Sequence, residues 1–200
     1  MLVFSYGLPS SGIPYYWKAG ENKSGVNLLS DTSLDIIQHI TEKIAYFKQL
    51  GDLVVASIHW GGNWGYDIPE THRELAHNLI DLAGVDIIHG HSSHHVKGLE
   101  IYKNKPIIYG CGDFLNDYEG ISGHKSYRDD LGLMYFVKSD PTNGHLISLQ
   151  MVPTQIRKFQ ITKPDKRDCN WLRLVLNREG KRYDTKVEWL NDNTLALVWN

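Results

Sequence analysis

The apolar positions repeat with two different periods along the chain, and this divides it into strands and helices. Residues 2–6 read as a first strand. Leu53–Ile58 is a short continuous apolar run, the pattern of a strand buried on both faces. Val85–Ile88, Lys105–Tyr109, Leu133–Val137 and His145–Val152 read as further strands. Ile36, Ile37, Ile40, Ile44 and Phe47 form a stripe at helical spacing. They predict a helix over 33–50, capped by Thr32 or Ser33 and ended by Gly51. Pro69 suits the first turn of a second helix with Asp67 as its cap. Leu75, Ala76, Leu79 and Ala83 face inward, and Gly84 ends it. Strand, helix and strand within about 35 residues make a βαβ unit with a right-handed crossover, so the class is α/β.

The intervening segments carry less pattern. Residues 7–32, rich in Gly, Pro, Ser and Asn, read as a long loop, which in a compact domain is usually functional or the scar of something missing. Near the end, Asp168–Asn177 reads as a helix whose apolar residues are Trp171, Leu172, Val175 and Leu176. Lys186–Leu190 and Thr194–Trp199 read as a closing hairpin around Asn191–Asn193. The expected organisation is a main domain over 1–160 with a small α+β appendage over 161–200.

Composition narrows the function. Lys and Arg number 21 against 23 Asp and Glu, a net charge of −2, so the chain carries no global nucleic-acid footprint. Two cysteines, Cys111 and Cys169, exclude a disulfide scaffold and a cysteine-only zinc site. No apolar run approaches the ~18 residues of a membrane span, and the first residues lack the basic and apolar regions of a signal peptide. The chain as given therefore reads as cytoplasmic, with export open for a longer form. There is no P-loop, no dinucleotide-binding glycine pattern and no Gly-x-Ser-x-Gly elbow.

Three of the buried-looking strands end in polar, metal-competent residues. The first ends in His59-Trp60-Gly61-Gly62-Asn63-Trp64, the second in His89-Gly90-His91-Ser92-Ser93-His94-His95, and the third in Tyr109-Gly110-Cys111-Gly112-Asp113. Ligands of open α/β sheets collect beyond the carboxyl ends of the strands. Four histidines fall within the seven residues 89–95. If the strand continues, His89 and His91 share one face, whereas His91 and His94 would meet across a turn. Neutral imidazole suits divalent manganese, iron or zinc. A solvent-exposed loop or a single hydrogen-bonded core histidine is the plainer alternative. Asn63 offers both donor and acceptor, and glycines leave room beside it. Asp113 reads equally as a turn residue, Cys111 as a small buried thiol, and His72 and His77 as structural or solvent-facing residues of the second helix.

His59-Trp-Gly-Gly-Asn-Trp, Gly90-His-Ser-Ser-His-His with Glu100, and Tyr109-Gly-Cys-Gly-Asp-Phe together resemble the CapA family. These are poly-γ-glutamate capsule-synthesis-type proteins of bacteria, within the calcineurin-like metallophosphoesterase superfamily. The resemblance covers roughly residues 1–160. It implies part of a four-layer α/β sandwich with divalent metal at the strand ends. His59 matches the family's His-Trp-Gly histidine, His91 and His94 the ends of its Gly-His-His-Pro-His segment, and Glu100 the glutamate after it. His89 or His95 would substitute for the ligand lost where Ser92-Ser93 replaces His-Pro. Asn63 stands where many members carry Glu, and Asp113 where Asn is common. The family's Asp-bearing first strand, Asn-Leu-Glu and Asn-Asn-His segments have no match. The expectation is a chain beginning about halfway through the family's domain, from a truncated or split gene.

Two functions follow. In one, a metal-dependent hydrolase of phosphoesterase type acts on a small-molecule or polymer substrate. His59, His91, His94 and His89 would be ligands, and His95, Asn63 and Asp113 catalytic residues. In the other, a non-catalytic accessory chain pairs with a separately encoded N-terminal half.

Overall fold

The computed structural model describes residues 1–116, 123–190 and 193–200; the first two residues of the expected hairpin turn, 191–192, lie outside them. Among the described residues the fold is α/β, with two sheets and three α-helices. The first sheet contains β1 (Leu2–Gly7), β2 (Val54–His59), β3 (Ile87–His91), β4 (Leu99–Tyr102) and β5 (Lys105–Ile108), in the order β1-β2-β3-β5-β4. The pairs β1–β2, β2–β3 and β3–β5 are parallel, and β4 returns antiparallel to β5. Helices α1 (Leu34–Phe47) and α2 (Glu70–Asp81) are the crossovers and cover one face. Val54, Ala56, Ile58 and Ile88 point at them and are at most 1% exposed, packed with Ile37, Ile40, Ile44, Leu75 and Leu79.

Element boundaries differ from the sequence expectation for local reasons. The third strand begins at Ile87, not Val85, because Asp86 is used as a pin. Its buried carboxylate accepts from the Val54 N–H at 2.9 Å and from Lys105 Nζ. Proline occupies the N-cap of α2 as Pro69, without a side-chain cap, and Asp67 stays on the surface. Ser33 is the N-cap residue of α1 but makes no side-chain cap bond, and that helix stops at Phe47, ahead of Gly51. Residues 7–32 are an ordered excursion, with short 3-10 turns at Pro9–Ser11 and Tyr15–Trp17 and buried anchors Leu8, Leu28 and Leu29.

The second sheet is antiparallel and runs β6 (Leu131–Ser139), β7 (Leu146–Arg157), β10 (Leu195–Trp199), β9 (Thr185–Trp189), with β8 (Gln160–Thr162) on the free side of one end of β7. Residues from the expected appendage over 161–200 take part in this sheet and its core. Strand β10 lies between β7 and β9, and helix α3 (Lys166–Gly180) buries Leu172, Val175 and Leu176 against Leu131, Leu149, Met151 and Leu195. Asp165 caps α3 by accepting from the Asp168 N–H at 2.8 Å. Strands β4 and β8 carried no visible alternation, being only 4 and 3 residues long. Val96, Leu99 and Ile108 join the second core, so the β5–β4 side of the first sheet abuts the second sheet.

Candidate histidine centre

The geometry of the centre follows from strand register. His59 stands opposite His91 and Ser57 opposite His89 across the parallel β2–β3 pair. Side chains alternate along a strand, so all four lie on the face away from α1 and α2. His59 Nδ1 and His91 Nδ1 are 3.0 Å apart, and His91 Nε2 and His89 Nδ1 each lie 3.2 Å from Ser57 Oγ. A hydrogen-bonded row, His59–His91–Ser57–His89, crosses the carboxyl ends of the two strands. Two ring nitrogens facing at 3.0 Å require one to donate and the other to accept.

Electrostatics keep this row neutral near pH 7. Burial, followed by the charges of His89 and His59, holds His91 down to about 4. Burial lowers His89, and burial together with His94 lowers His59. Neutral rings retain lone pairs, which is what ligation or proton acceptance needs. Ser57 had no sequence signal, because a small hydroxyl in an apolar strand reads as packing.

His94 and Asp113 form a second pair. His94 Nδ1 lies 3.0 Å from Asp113 Oδ2, and Asn116 Nδ2 donates to the same oxygen at 3.1 Å. The Asp113 carboxylate can only accept, so it takes the Nδ1 proton of His94 and fixes the orientation of that ring. Asn63 enters through its backbone, its carbonyl accepting from the His94 N–H at 3.1 Å, while its side chain is exposed.

His95, expected among the catalytic residues, is enclosed by aromatic rings. It is 1% exposed, with its ring against Tyr127 at 4.6 Å and Tyr66 at 4.7 Å, and Nδ1 donates to the Val96 carbonyl at 3.0 Å. Burial holds it down to about 4, so it has no proton to give at neutral pH. Glu100 is also turned elsewhere. It is buried between His77 Nε2 at 3.0 Å and the Tyr109 hydroxyl at 2.5 Å, so His77 is a partner of a buried acid rather than a surface residue. Burial pushes the Cys111 thiol up to about 11, which fits an inert thiol.

The divalent metal implied by the resemblance needs three or more converging donors. Among the described residues, no three His, Cys, Asp or Glu side chains come together to hold an ion. His59 and His91 converge, while His94 pairs through Nδ1 with Asp113. Among the described residues, the side chains as placed do not complete a metal site.

Glycines make the surrounding close contacts possible. A Cβ on Gly90 would sit 2.5 Å from Trp60 Nε1, which donates to the Tyr109 carbonyl at 2.9 Å. Beside the row, His89, Cys111, Phe114, Leu133 and Tyr135 line a groove of about 360 Å³ between the two sheets. No helix among the described residues is long and apolar enough to cross a membrane.

Comparison with known proteins agrees with the motif pattern. The family model described as bacterial capsule synthesis protein PGA_cap matches residues 1–118. A probable polyglutamine synthesis accessory protein of Mycobacterium tuberculosis is 42% identical over 199 residues, covering 99% of this chain and 52% of the relative. The PGA biosynthesis protein CapA of Bacillus subtilis is 34% identical over 99 residues, or 50% of this chain and 25% of that protein. The capsule biosynthesis protein CapA of Bacillus anthracis is 33% identical over 111 residues, 56% and 25% respectively. The chain spans about half the length of its mycobacterial relative. With the family model matching over half of its residues, the chain belongs to the bacterial capsule synthesis protein family PGA_cap.

Proposed function

We propose that this chain is the histidine-bearing part of a capsule- or cell-wall-polymer-processing protein of CapA type, and that its hydrolytic centre is completed by donors from outside the chain. Those donors would come from a preceding segment of a longer form or from a separately encoded N-terminal half. The observation that carries this reading is the row on β2 and β3. Two neutral imidazoles converge at 3.0 Å on the sheet face that α1 and α2 leave uncovered, and among the described residues no third donor joins them.

Within that centre, His94 is the candidate base, with Asp113 fixing its tautomer and stabilising the imidazolium after proton uptake. His59 and His91 hold the ligand side, and Ser57 sets the ring of His91. The inter-sheet groove beside His89 would take an extended polymer. A four-layer sandwich of the metallophosphoesterase type is the architecture proposed for the completed domain.

The test is hydrolysis, with added Mn²⁺, of a generic phosphodiester and of an oligo-γ-glutamate. It compares the chain alone with the chain mixed with, or fused to, the preceding half of the mycobacterial relative. Turnover only in the completed form, lost in His94→Ala, is the expected result. Full turnover by the chain alone contradicts the need for completion. A folded complex inactive on both substrates contradicts the hydrolytic reading and favours a non-catalytic accessory role.

A further inference from the structure

On the opposite, helix-covered side of the same strand ends lies a lysine with no evident use in the fold. Lys97 is 6% exposed. Its stem runs across Gly110, where a Cβ would come within 2.9 Å of Lys97 Cγ, and its N–H donates to the Gly110 carbonyl at 3.0 Å. The ammonium reaches to within 4.0 Å of the Cβ position of Gly61. There it meets a small cavity lined by Trp60, Asp67, Pro69, His72 and Tyr109, with room for about one water-sized group. Among the described residues, Lys97 Nζ makes no hydrogen bond and no ion pair. Asp67 is the carboxylate whose charge it feels, but that side chain is 96% exposed and lies 3.7 Å from Arg182.

The other walls are already satisfied and rigid. Ser10 Oγ accepts from the Gly61 N–H at 3.1 Å and shares a hydrogen bond with His72 Nε2 at 3.0 Å. His72 stacks on Trp60, centroids 5.0 Å apart and planes within 5°. Burial and the charge of Lys97 hold His72 down to about 4, so Lys97 is the cationic side chain of the lining, with the Asp67 carboxylate at the mouth. The first turn of α2 also borders it. Pro69 gives that helix no side-chain cap, and Glu70, the acidic residue of its first turn, is paired with Arg73 at 3.0 Å. A mostly enclosed ammonium without a protein hydrogen bond gives up part of its hydration, and a partner of opposite charge offsets that cost.

We propose that Lys97 and the first turn of α2 form an oxyanion subsite, taking one carboxylate or phosphate oxygen of a ligand bound at the carboxyl ends of the first sheet. The cavity admits a single oxygen, so the rest of the anion stays at the mouth beside Asp67. The subsite needs no chemistry at the histidines and stands apart from the hydrolytic reading.

Thermal melting at pH 7 in sodium phosphate, sodium acetate and sodium chloride, at matched ionic strength, tests it on the 200-residue chain. Phosphate or acetate should raise the melting temperature above chloride, and whichever acts more strongly names the source of the oxygen. Lys97→Met should weaken that anion's apparent affinity by at least about tenfold. In chloride it should melt no lower than the unmodified chain, since methionine keeps the stem and removes a buried charge. Asp67→Asn, a surface change, should strengthen binding by removing like charge at the mouth. Equal melting in all three salts for both the unmodified and Asp67→Asn chains would overturn the proposal. So would an unchanged anion response in Lys97→Met, or strong destabilisation of that variant in chloride, which would mark a structural ion pair.

Discussion

The two faces of β2 and β3 are built from alternate residues of the same few positions, yet they obey different rules. On the helix side, Val54, Ala56, Ile58 and Ile88 are sealed beneath α1 and α2. On the other side, Val55, Ser57, His59, Ile87, His89 and His91 are only partly buried. Parallel sheets are normally covered on both faces. Here one face is a finished core, while the other carries neutral imidazoles linked by a serine. One face therefore holds the fold, and the other keeps a row of polar side chains partly accessible.

The sharpest way to break this comparison is to truncate one residue on each face. Ile58→Ala should cost about 2–5 kcal/mol, because a fully buried side chain leaves a cavity among packed neighbours. Ser57→Ala should cost about 1 kcal/mol or less, since it removes hydrogen bonds at a partly solvated position. Urea denaturation of the two variants checks both. Equal losses would mean that the histidine face is as structural as the helix face.

Acid should come next in effect. His72, His91 and His95 are held at about 4 by burial, against ~6.5 in an unfolded chain. Folding with these rings neutral is unopposed above ~6.5, where the unfolded chain is also neutral. As pH falls from ~6.5 through about 4, the unfolded state takes up protons that the folded state refuses, so stability declines. Melting temperature should therefore fall by several degrees between pH 7 and pH 5, and His91→Asn should flatten that slope. A flat profile over this range would contradict the neutral row.

The smallest expected effect concerns Cys111. With its thiol pushed up to about 11, alkylation by iodoacetamide at pH 7.5 should be far slower than for free cysteine. Rapid modification of the native chain would show that the inter-sheet groove opens more than its packing implies.

Much of this contrast was legible in the sequence. The His-x-His spacing of His89 and His91 placed both on one face once the strand continued, and the apolar run before His59 marked a buried strand. The register that sets His59 against His91 was not legible, because strand pairing is a long-range choice that period alone does not encode. The fate of His95 was hidden for a similar reason. Its enclosing rings, Tyr66 and Tyr127, come from separate loops. Lys97 left no signal at all, since lysine rarely buries and only Gly110 makes its path possible. The final strands looked like an appendage because nothing local reveals that β10 inserts between β7 and β9.

The central claim is that the histidine row is part of a ligand set, and bound-metal stoichiometry tests it most directly. The purified chain would be loaded with Mn²⁺, Fe²⁺ or Zn²⁺, dialysed and assayed, alone and completed by the preceding half of the mycobacterial relative, beside a His59→Ala, His91→Ala double variant. The account predicts substoichiometric metal on the chain alone and near-stoichiometric metal on the completed form, lost in the double variant. Stoichiometric metal on the chain alone, or metal on the completed form that survives loss of both histidines, would contradict it.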